Sequence, residues 1–343
     1  MTQVTAKAPL RLGLAGGGTD VSPYSDLFGG QVLNATISLF THCVIEQTND
    51  DCVRFHASDF DESASAPLSA AQDLGGPLTL HRAVYARVVR DFLGGQAPAL
   101  KVITYSDAPP GSGVGASSAL VVSMLQAYAE LLQMPLGEYD VAHLAHDIER
   151  NDCGMAGGKQ DQYAAAFGGF NFMEFAANDR VIVNPLRLKP EIANQLESNL
   201  LLYYTGRSRE SARIIEAQIA STKDLTGSAI EAMHAIRQTA VEMKEALLRG
   251  RIARVLDILG ASWQHKKRAA EGISNPHIDE IATAALHAGA RSLKISGAGG
   301  GGFMMIAVDP ALRYQVVRAL EPLGGRFFSF SFVDRGVQSW KSN

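Results

Sequence analysis

The stretch that decides the fold runs from Asp107 to Leu125 and reads DAPPGSGVGASSALVVSML. Its alternating glycines, Gly111, Gly113 and Gly115, stand directly before a run whose apolar residues recur three and four positions apart. Glycine adopts positive φ angles and allows other groups to approach the backbone closely. The pattern therefore predicts a tight loop that leads into a helix.

The same loop is a candidate anion-binding site. The first turn of the predicted helix contains Ser117 and Ser118, where unpaired backbone N–H groups and the helix dipole favour negative charge. A Walker A loop does not fit, because no Lys-Ser/Thr pair follows the last glycine. A dinucleotide fingerprint fits Gly111, Gly113 and Ala116 but lacks an acidic strand end about 20 residues later. The main alternatives are a loop that wraps the phosphates of a nucleotide and a glycine-rich turn packed against a sheet.

Before this stretch, the chain is rich in strand patterns. They are LRLGLA, QVLNATISL, HCVIEQT, CVRFHAS and LKVITY, with one predicted helix over 82–93. After it, strand patterns return at GGFNFMEF, RVIVNPL and NLLLYYTG. A helical tract over about 210–288 follows, with breaks at Gly250 and before Pro276. The chain closes with two strand patterns around a glycine turn, a helix from Pro310 and the strand pattern RFFSFSF.

Grouped runs of strands and helices predict an α+β protein rather than a doubly wound sheet. A chain of 343 residues is long enough for two domains. We place them at 1–170 and 171–343.

The composition argues against some classes of binding partner. The chain is 46% hydrophobic and 19% charged, with a formal net charge of −4, so it has no general attraction for nucleic acid or anionic membranes. Any anionic ligand must be held by local donors. Three cysteines without a C-x-x-C pair suit a reducing compartment, and no signal peptide or membrane-spanning apolar run is recognisable. We predict a cytoplasmic protein without nucleic-acid or membrane partners.

Two further glycine stretches favour a ligand-binding role. LAGGGTD occupies 14–20, and KISGAGGGGFMMI occupies 294–306 between two apolar strand patterns. The second stretch contains five glycines, each of which weakens a hairpin, whereas a turn alone needs one or two.

With these three motifs, the sequence resembles the kinases named after galactokinase, homoserine kinase, mevalonate kinase and phosphomevalonate kinase. PPGSGVGASSA resembles the family's phosphate loop, APLRLGLAGGGTD its N-terminal substrate motif and KISGAGGGGF its C-terminal glycine motif. The resemblance covers nearly the whole chain. It implies an N-terminal domain like domain 2 of ribosomal protein S5, a ferredoxin-like C-terminal domain, and ATP and substrate in the cleft between them.

Within the family, the sequence is most similar to sugar kinases. The Glu-His pair that precedes Thr-Asp in galactokinases is replaced here by Gly17-Gly18. GGGTDVSPY followed by GGQVLNATI resembles instead the D-glycero-D-manno-heptose 7-phosphate kinases of bacterial surface-polysaccharide synthesis, with fucokinases as more distant relatives. The resemblance implies transfer of a phosphoryl group from ATP to the anomeric hydroxyl of the heptose phosphate. A kinase of an unphosphorylated sugar, fucokinase-like or galactokinase-like, and a non-catalytic sugar or nucleotide sensor on the same fold are the alternatives.

The resemblance also implies roles for individual residues. It assigns Asp161 to orient the attacking hydroxyl and accept its proton, and Arg11 to pair with Asp161 and offset phosphoryl charge. Ser118 and Glu149 are the expected ligands of Mg²⁺, which prefers oxygen donors. The expected ATP-phosphate residues are Pro110, Gly111, Ser112, Gly113, Val114, Gly115, Ala116, Ser117 and Ser118. The expected substrate residues are Gly17, Gly18, Thr19, Asp20, Arg207, Gly297, Gly299 and Gly300.

Each role has a structural alternative. Ser118 can be a helix cap, Glu149 a solvated residue, and Arg11 with Asp161 a structural ion pair. We interpret HKKRAA, 265–270, as a solvated helix face, and His143 with His146 as ordinary helix residues. The expected partners are ATP, Mg²⁺ and a sugar phosphate, and we leave a homodimer open.

Overall fold

The computed structural model describes residues 2–70, 72, 75–206, 211–222 and 227–342. The strands are β1 (Gln3–Ala15), β2 (Gly30–Gln47), β3 (Cys52–Ala57), β4 (Glu62–Pro67), β5 (Leu100–Ser106), β6 (Phe170–Phe175), β7 (Val181–Pro185), β8 (Leu200–Tyr204), β9 (Ala290–Ile295), β10 (Phe303–Val308), β11 (Arg326–Phe328) and β12 (Gln338–Ser342). The α-helices are α1 (Tyr24–Phe28), α2 (Thr79–Phe92), α3 (Ala116–Leu132), α4 (Glu138–Asp147), α5 (Gln160–Phe167), α6 (Pro190–Ser198), α7 (Ser211–Thr222), α8 (Ser228–Leu248), α9 (Ile252–Ala269), α10 (Pro276–His287) and α11 (Arg313–Leu320). One π-helical turn, Ile148–Asp152, continues α4.

The first sheet has eight strands and includes both ends of the described chain. Its main path is β12-β1-β2-β5-β3-β4, while β6 pairs with β2 and β7 with β6. Every second residue of β1 from Val4 to Leu14 is apolar and buried, as the period of two in a strand requires. Helices α3 and α5 pack on β1 and β2, so this sheet carries the loop before α3.

The second sheet has the order β11-β8-β10-β9 and is antiparallel throughout. Numbered along the chain, this order is 4-1-3-2, the order of the ferredoxin-like fold. The helical tract α7 to α10 lies between its first and second strands, and α11 lies between its third and fourth. The predicted α+β class and ferredoxin-like C-terminal part are therefore confirmed. None of the described helices is both long enough and apolar enough to span a bilayer.

The strand predictions differ from the structure in three places. The patterns QVLNATISL and HCVIEQT lie in one 18-residue strand, β2, rather than two. Strands β4 and β12 had no recognisable pattern, because ESASAP and QSWKS lack a regular apolar alternation. RFFSFSF contains only the three-residue strand β11.

The predicted boundary between 170 and 171 falls at the first residue of β6. Since β6 and β7 hydrogen-bond into the first sheet, sheet membership divides the chain after Pro185. The C-terminal strand β12 then returns to pair with β1. A single boundary in the sequence cannot assign β12 to the first sheet, because strand pairing joins residues over 300 positions apart.

Candidate active site

A cavity of about 640 Å³ lies where the loops of the two sheets meet. All three glycine motifs contribute to its walls, together with α5, α7, α9 and the π-helical turn. The predicted site residues that line it are Arg11, Gly18, Asp20, Gly111, Ser112, Gly113, Gly115, Ala116, Ser117, Ser118, Glu149, Asp161 and Gly297. The structure therefore brings together most residues of the predicted site.

The phosphate loop runs into α3 as predicted, with Ser117 and Ser118 in the first turn. Gly111, Gly113 and Gly115 all have positive φ angles, between 65° and 77°. Two of these glycines also lie close to other parts of the protein. A Cβ on Gly113 would lie 2.6 Å from the carbonyl oxygen of Ser296, and one on Gly115 would lie 3.2 Å from the carboxylate of Asp161.

The C-terminal glycine turn packs directly on the phosphate loop. A Cβ on Gly297 would lie 2.6 Å from the carbonyl oxygen of Gly113, and one on Gly302 would lie 2.4 Å from that of Ser112. The N–H group of Phe303 donates to the Ser112 carbonyl at 2.8 Å. Both interpretations of the first glycine motif thus have support: the loop faces a cavity, and glycine also permits tight packing against a second loop.

Arg11 is buried and connects three parts of the site. Its Nε donates to Oδ1 of Asp161 at 2.7 Å, and Nη2 lies 2.7 Å from the same oxygen. Its Nη1 donates to the carbonyl oxygen of Gly113 at 2.7 Å and to Oγ of Ser296 at 3.2 Å. The Asp161 side chain remains one-quarter exposed on the cavity side. The pair predicted from residues 150 positions apart is therefore formed.

Glu149 lies in the π-helical turn and is almost completely buried. Ser118 Oγ donates to Oε2 of Glu149 at 2.7 Å, Ser117 Oγ donates to Oε1 at 3.2 Å, and Gln162 Nε2 also donates to Oε2. Burial raises the pKa of Glu149, and the nearby Arg150 and the hydrogen bonds from Ser118 and Gln162 oppose the rise. A buried carboxylate beside two hydroxyls at a helix N-terminus is a donor set of the hard oxygen type that Mg²⁺ prefers. The predicted Ser118 and Glu149 ligands are thus adjacent and fit such a cation.

Asp20 makes four hydrogen bonds, all to protein groups. Oδ2 accepts from the backbone N–H of Lys159 at 2.9 Å and of Gln160 at 3.1 Å, and Oδ1 accepts from Gly18 N and from the Gln160 side chain. This carboxylate therefore caps α5, the helix that carries Asp161. Thr19 is turned away from the cavity: its hydroxyl donates to Gly16 O at 2.8 Å and lies 3.0 Å from both O and N of Gln31.

Several other predicted residues lie outside the cavity lining. Gly299 and Gly300 pack against the turn before α10, since a Cβ on Gly299 would lie 2.9 Å from Ile273 O and Gly300 N donates to that oxygen at 2.8 Å. Val114 is in the core and Pro110 is exposed beside the loop. Arg207 is outside the described residues.

Lys266 corrects the interpretation of HKKRAA as a solvated helix face. Its side chain is buried and lines the cavity, and Nζ donates to Gly297 O at 2.5 Å. The helical period could have indicated this, because Ile252, Leu259 and Trp263 are buried on the same helix and Lys266 follows Trp263 by three positions. Gln218 of α7 was also missed; it donates to Gly18 O at 3.1 Å. His143 and His146 do not belong to any metal-binding group among the described residues.

The chain is similar to known proteins along nearly its whole length. Residues 79–169 match the GHMP kinases N terminal domain, and residues 243–323 match the GHMP kinases C terminal domain. The D-glycero-alpha-D-manno-heptose 7-phosphate kinase of Campylobacter jejuni is 46% identical over 99% of this chain and 100% of its own. The L-fucokinase/L-fucose-1-P guanylyltransferase of Bacteroides fragilis is 27% identical, and the match covers 99% of this chain but 38% of that protein.

Among solved structures, the D-glycero-D-manno-heptose 1-phosphate kinase of Bacteroides thetaiotaomicron has a TM-score of 0.83 and 44% identity, with 99% of both chains covered. Identity at this level over the full length, with the two domain matches in the expected order, confirms the predicted two-domain kinase fold. The chain belongs to the GHMP kinases.

Proposed function

We propose that this protein is an ATP-dependent sugar kinase that phosphorylates the anomeric hydroxyl of D-glycero-D-manno-heptose 7-phosphate, yielding the 1,7-bisphosphate. The observation that carries the proposal is the Arg11–Asp161 ion pair, which faces the same cavity as the phosphate loop and the Ser118–Glu149 pair. A phosphoryl transfer needs these elements together: a phosphate cradle, a cation site and an acceptor for the hydroxyl proton. The product is a precursor of a surface polysaccharide such as a capsule, lipopolysaccharide or S-layer glycan.

The ATP phosphates are assigned to the loop before α3. Gly111, Gly113 and Gly115 adopt the positive φ angles that a phosphate-binding nest of backbone N–H groups requires, and the N-terminus of α3 adds its dipole. Ser118 and Glu149 would hold Mg²⁺, which neutralises charge on the phosphates when bound. The hydrogen bonds from Ser117 and Gln162 keep the Glu149 carboxylate in place.

The acceptor is assigned to the part of the cavity beside Asp161. Asp161 accepts the proton of the attacking hydroxyl through the carboxylate surface that Arg11 leaves uncovered. Arg11 holds that carboxylate in position and offsets charge on the transferred group, since its guanidinium also reaches Gly113 O. The Asp20 carboxylate is committed to α5, so we assign it to positioning rather than to a sugar hydroxyl.

The identity of the sugar is the part of the proposal that most needs a test. The names of the two heptose kinases above differ in the phosphate position, 7 in one and 1 in the other. The fucokinase similarity leaves an unphosphorylated sugar as a second candidate. Localisation in the cytoplasm and a homodimeric state remain predictions, and analytical ultracentrifugation measures the second.

A coupled assay of ADP release tests the proposal. The purified protein is given ATP, MgCl₂ and one of five acceptors: heptose 7-phosphate, heptose 1-phosphate, free heptose, fucose and galactose. We expect kcat/KM for heptose 7-phosphate to exceed the value for every other acceptor by at least about tenfold, the effect of one lost charge-assisted contact. Preference for free heptose or fucose would replace the proposed substrate, and no sugar-dependent ADP release would favour the sensor alternative.

A further inference from the structure

Lys266 is a buried cation of the cavity for which the proposed mechanism has no role. It lies on α9 with 3% of its surface exposed, and its Nζ donates to Gly297 O at 2.5 Å. An ammonium group has three N–H donors, and this bond uses one of them. A buried charge is costly unless a partner or a ligand compensates it. Lys266 is therefore placed for a ligand that enters the cavity.

The other cations near the cavity are engaged by protein groups. Arg11 pairs with Asp161, and Arg150 donates to Met155 O at 3.2 Å and to Gly158 O at 3.0 Å. Lys294 of β9 donates to Gly13 O at 2.6 Å and lies outside the cavity lining. Among these described cations, Lys266 combines burial, a cavity position and a single hydrogen bond to a neutral carbonyl.

Lys266 lies near Gly17, a predicted substrate residue that is next to the cavity-lining Gly18 but outside the lining itself. A Cβ on Gly17 would lie 3.9 Å from Lys266 Nζ and 3.6 Å from Gln160 Nε2, so the missing side chain leaves space between two polar donors. The absence of a side chain at 17 leaves the ammonium available to a ligand.

We propose that Lys266 contacts the sugar substrate directly, donating to an acceptor oxygen in the space beside Gly17. The inference rests on the proposed sugar-kinase function and adds a substrate-binding residue from α9 to it. The oxygen that accepts this hydrogen bond belongs either to a sugar hydroxyl or to the substrate phosphate. Both can accept from an ammonium group, and the choice of sugar substrates in the experiment distinguishes them.

The charged groups that face Lys266 determine how its contact depends on pH. They are Asp20 and Arg11 at the ends of the substrate motif, Asp161 of α5 and Lys294 of β9. The pKa of Lys266 is lowered to about 8, mainly by burial and to a lesser extent by Arg11, while Asp20 and Asp161 oppose the shift. The ammonium form therefore predominates at pH 7 and is lost as the pH rises through about 8. Since only that form attracts an anionic acceptor, kcat/KM for the acceptor should fall above this pH.

The test compares Lys266→Met with Lys267→Met. Both variants remove one positive charge from α9, but Lys267 Nζ lies 6.0 Å from the centre of the Trp263 ring and its side chain is outside the cavity lining. We expect Lys266→Met to raise KM for heptose 7-phosphate by roughly tenfold to a hundredfold, the loss of one charge-assisted hydrogen bond. KM for ATP should change by less than about twofold, because the ATP-phosphate loop keeps its contacts. Lys267→Met should resemble the unmodified enzyme in both constants.

Two further readouts separate a contact from a structural effect. The fall in kcat/KM above pH 8 should disappear in Lys266→Met, whereas a fall due to Lys294 would persist in that variant. The variant should melt no lower than the unmodified protein, because methionine removes a buried charge while keeping the volume. An equal rise in KM for free heptose and heptose 7-phosphate identifies a hydroxyl contact, and a rise for the phosphorylated sugar alone identifies the phosphate.

An unchanged KM for the acceptor in Lys266→Met overturns the inference, as does a rise in KM confined to ATP. Failure of the proposed function has a different signature, namely no ADP release by the unmodified enzyme with heptose 7-phosphate. In that case, the unmodified enzyme and Lys266→Met are compared on whichever sugar of the panel the enzyme phosphorylates. Equal KM values for that sugar in these two proteins again overturn the role of Lys266.

Discussion

Individual side chains in this site form hydrogen bonds or ion pairs with several segments of the chain at once. Arg11 reaches Asp161, Gly113 and Ser296 with one guanidinium group, and Glu149 receives hydrogen bonds from Ser117, Ser118 and Gln162. An arginine suits the first position because its planar group presents five donors in fixed directions. Substitutions here should therefore affect chemistry and local geometry together, and controls must separate the two.

Asp161→Asn keeps the volume of the side chain and removes its charge. We expect kcat to fall by about 10² or more, because asparagine cannot accept the hydroxyl proton, while KM for ATP stays within a few fold. Steady-state kinetics with a coupled ADP assay gives both values. Asp257→Asn is the control, since it breaks an Arg–Asp pair with Arg291 on the surface. Near-normal turnover in Asp161→Asn would show that this carboxylate is not the base.

The cation site is tested by Ser118→Ala and Glu149→Gln. Both should raise the MgCl₂ concentration for half-maximal activity, and Glu149→Gln should raise it more, because it removes a charged ligand. Ser123→Ala is the matched control: its hydroxyl lies on the same helix and is buried, but it donates to Leu120 O. Unchanged magnesium titrations for both site variants would place the cation elsewhere.

At the scale of elements, α5 and the π-helical turn carry the two carboxylates of the proposed chemistry, Asp161 and Glu149. The N-terminal N–H groups of α5 are capped by Asp20, a residue about 140 positions earlier. The turn that carries Glu149 departs from α-helical hydrogen bonding, as π-helical turns at functional sites often do. Both features place a side chain by fixing the backbone that bears it.

Asp20→Ala tests whether Asp20 positions α5 or binds sugar. Loss of the cap should lower the free energy of unfolding by about 0.5–2 kcal/mol and reduce kcat, because α5 also carries Asp161. Denaturant unfolding and steady-state kinetics measure these effects. Asp309→Ala removes a capping acceptor from Ala311 N and should lower stability without reducing kcat. A rise in sugar KM with unchanged stability and kcat would restore the predicted sugar-binding role.

Local sequence patterns predicted the positions of these elements better than they predicted the contacts between them. The loop before α3 and the helical tract after 210 follow from glycine spacing and apolar periodicity, whereas the grouping of the cavity residues was implied by the family resemblance. The Asp20 cap could not be predicted, because the residues it joins are remote in sequence and Thr-Asp after glycine also fits a turn. The burial of Lys266 was missed because its neighbours, Lys267 and Arg268, give the segment the composition of a solvated surface.

At the scale of the whole molecule, the cavity depends on contact between the two sheets. The phosphate loop belongs to the first sheet and the C-terminal glycine turn to the second, and their glycines meet at Gly113 and Gly297. Arg11 and Lys266 bind this junction from β1 and α9. The ATP side and the acceptor side of the proposed reaction are thus held together by backbone contacts that only glycine permits.

The most direct test of the central claim is to identify the product by ³¹P NMR. The protein is incubated with ATP, MgCl₂ and heptose 7-phosphate, and the spectrum is followed with time. The account predicts that ADP and a new phosphate ester on C1 appear in equal amounts while the signal of the C7 phosphate is retained. A new phosphate at another carbon, or turnover of heptose 1-phosphate with none of the 7-phosphate, would contradict it.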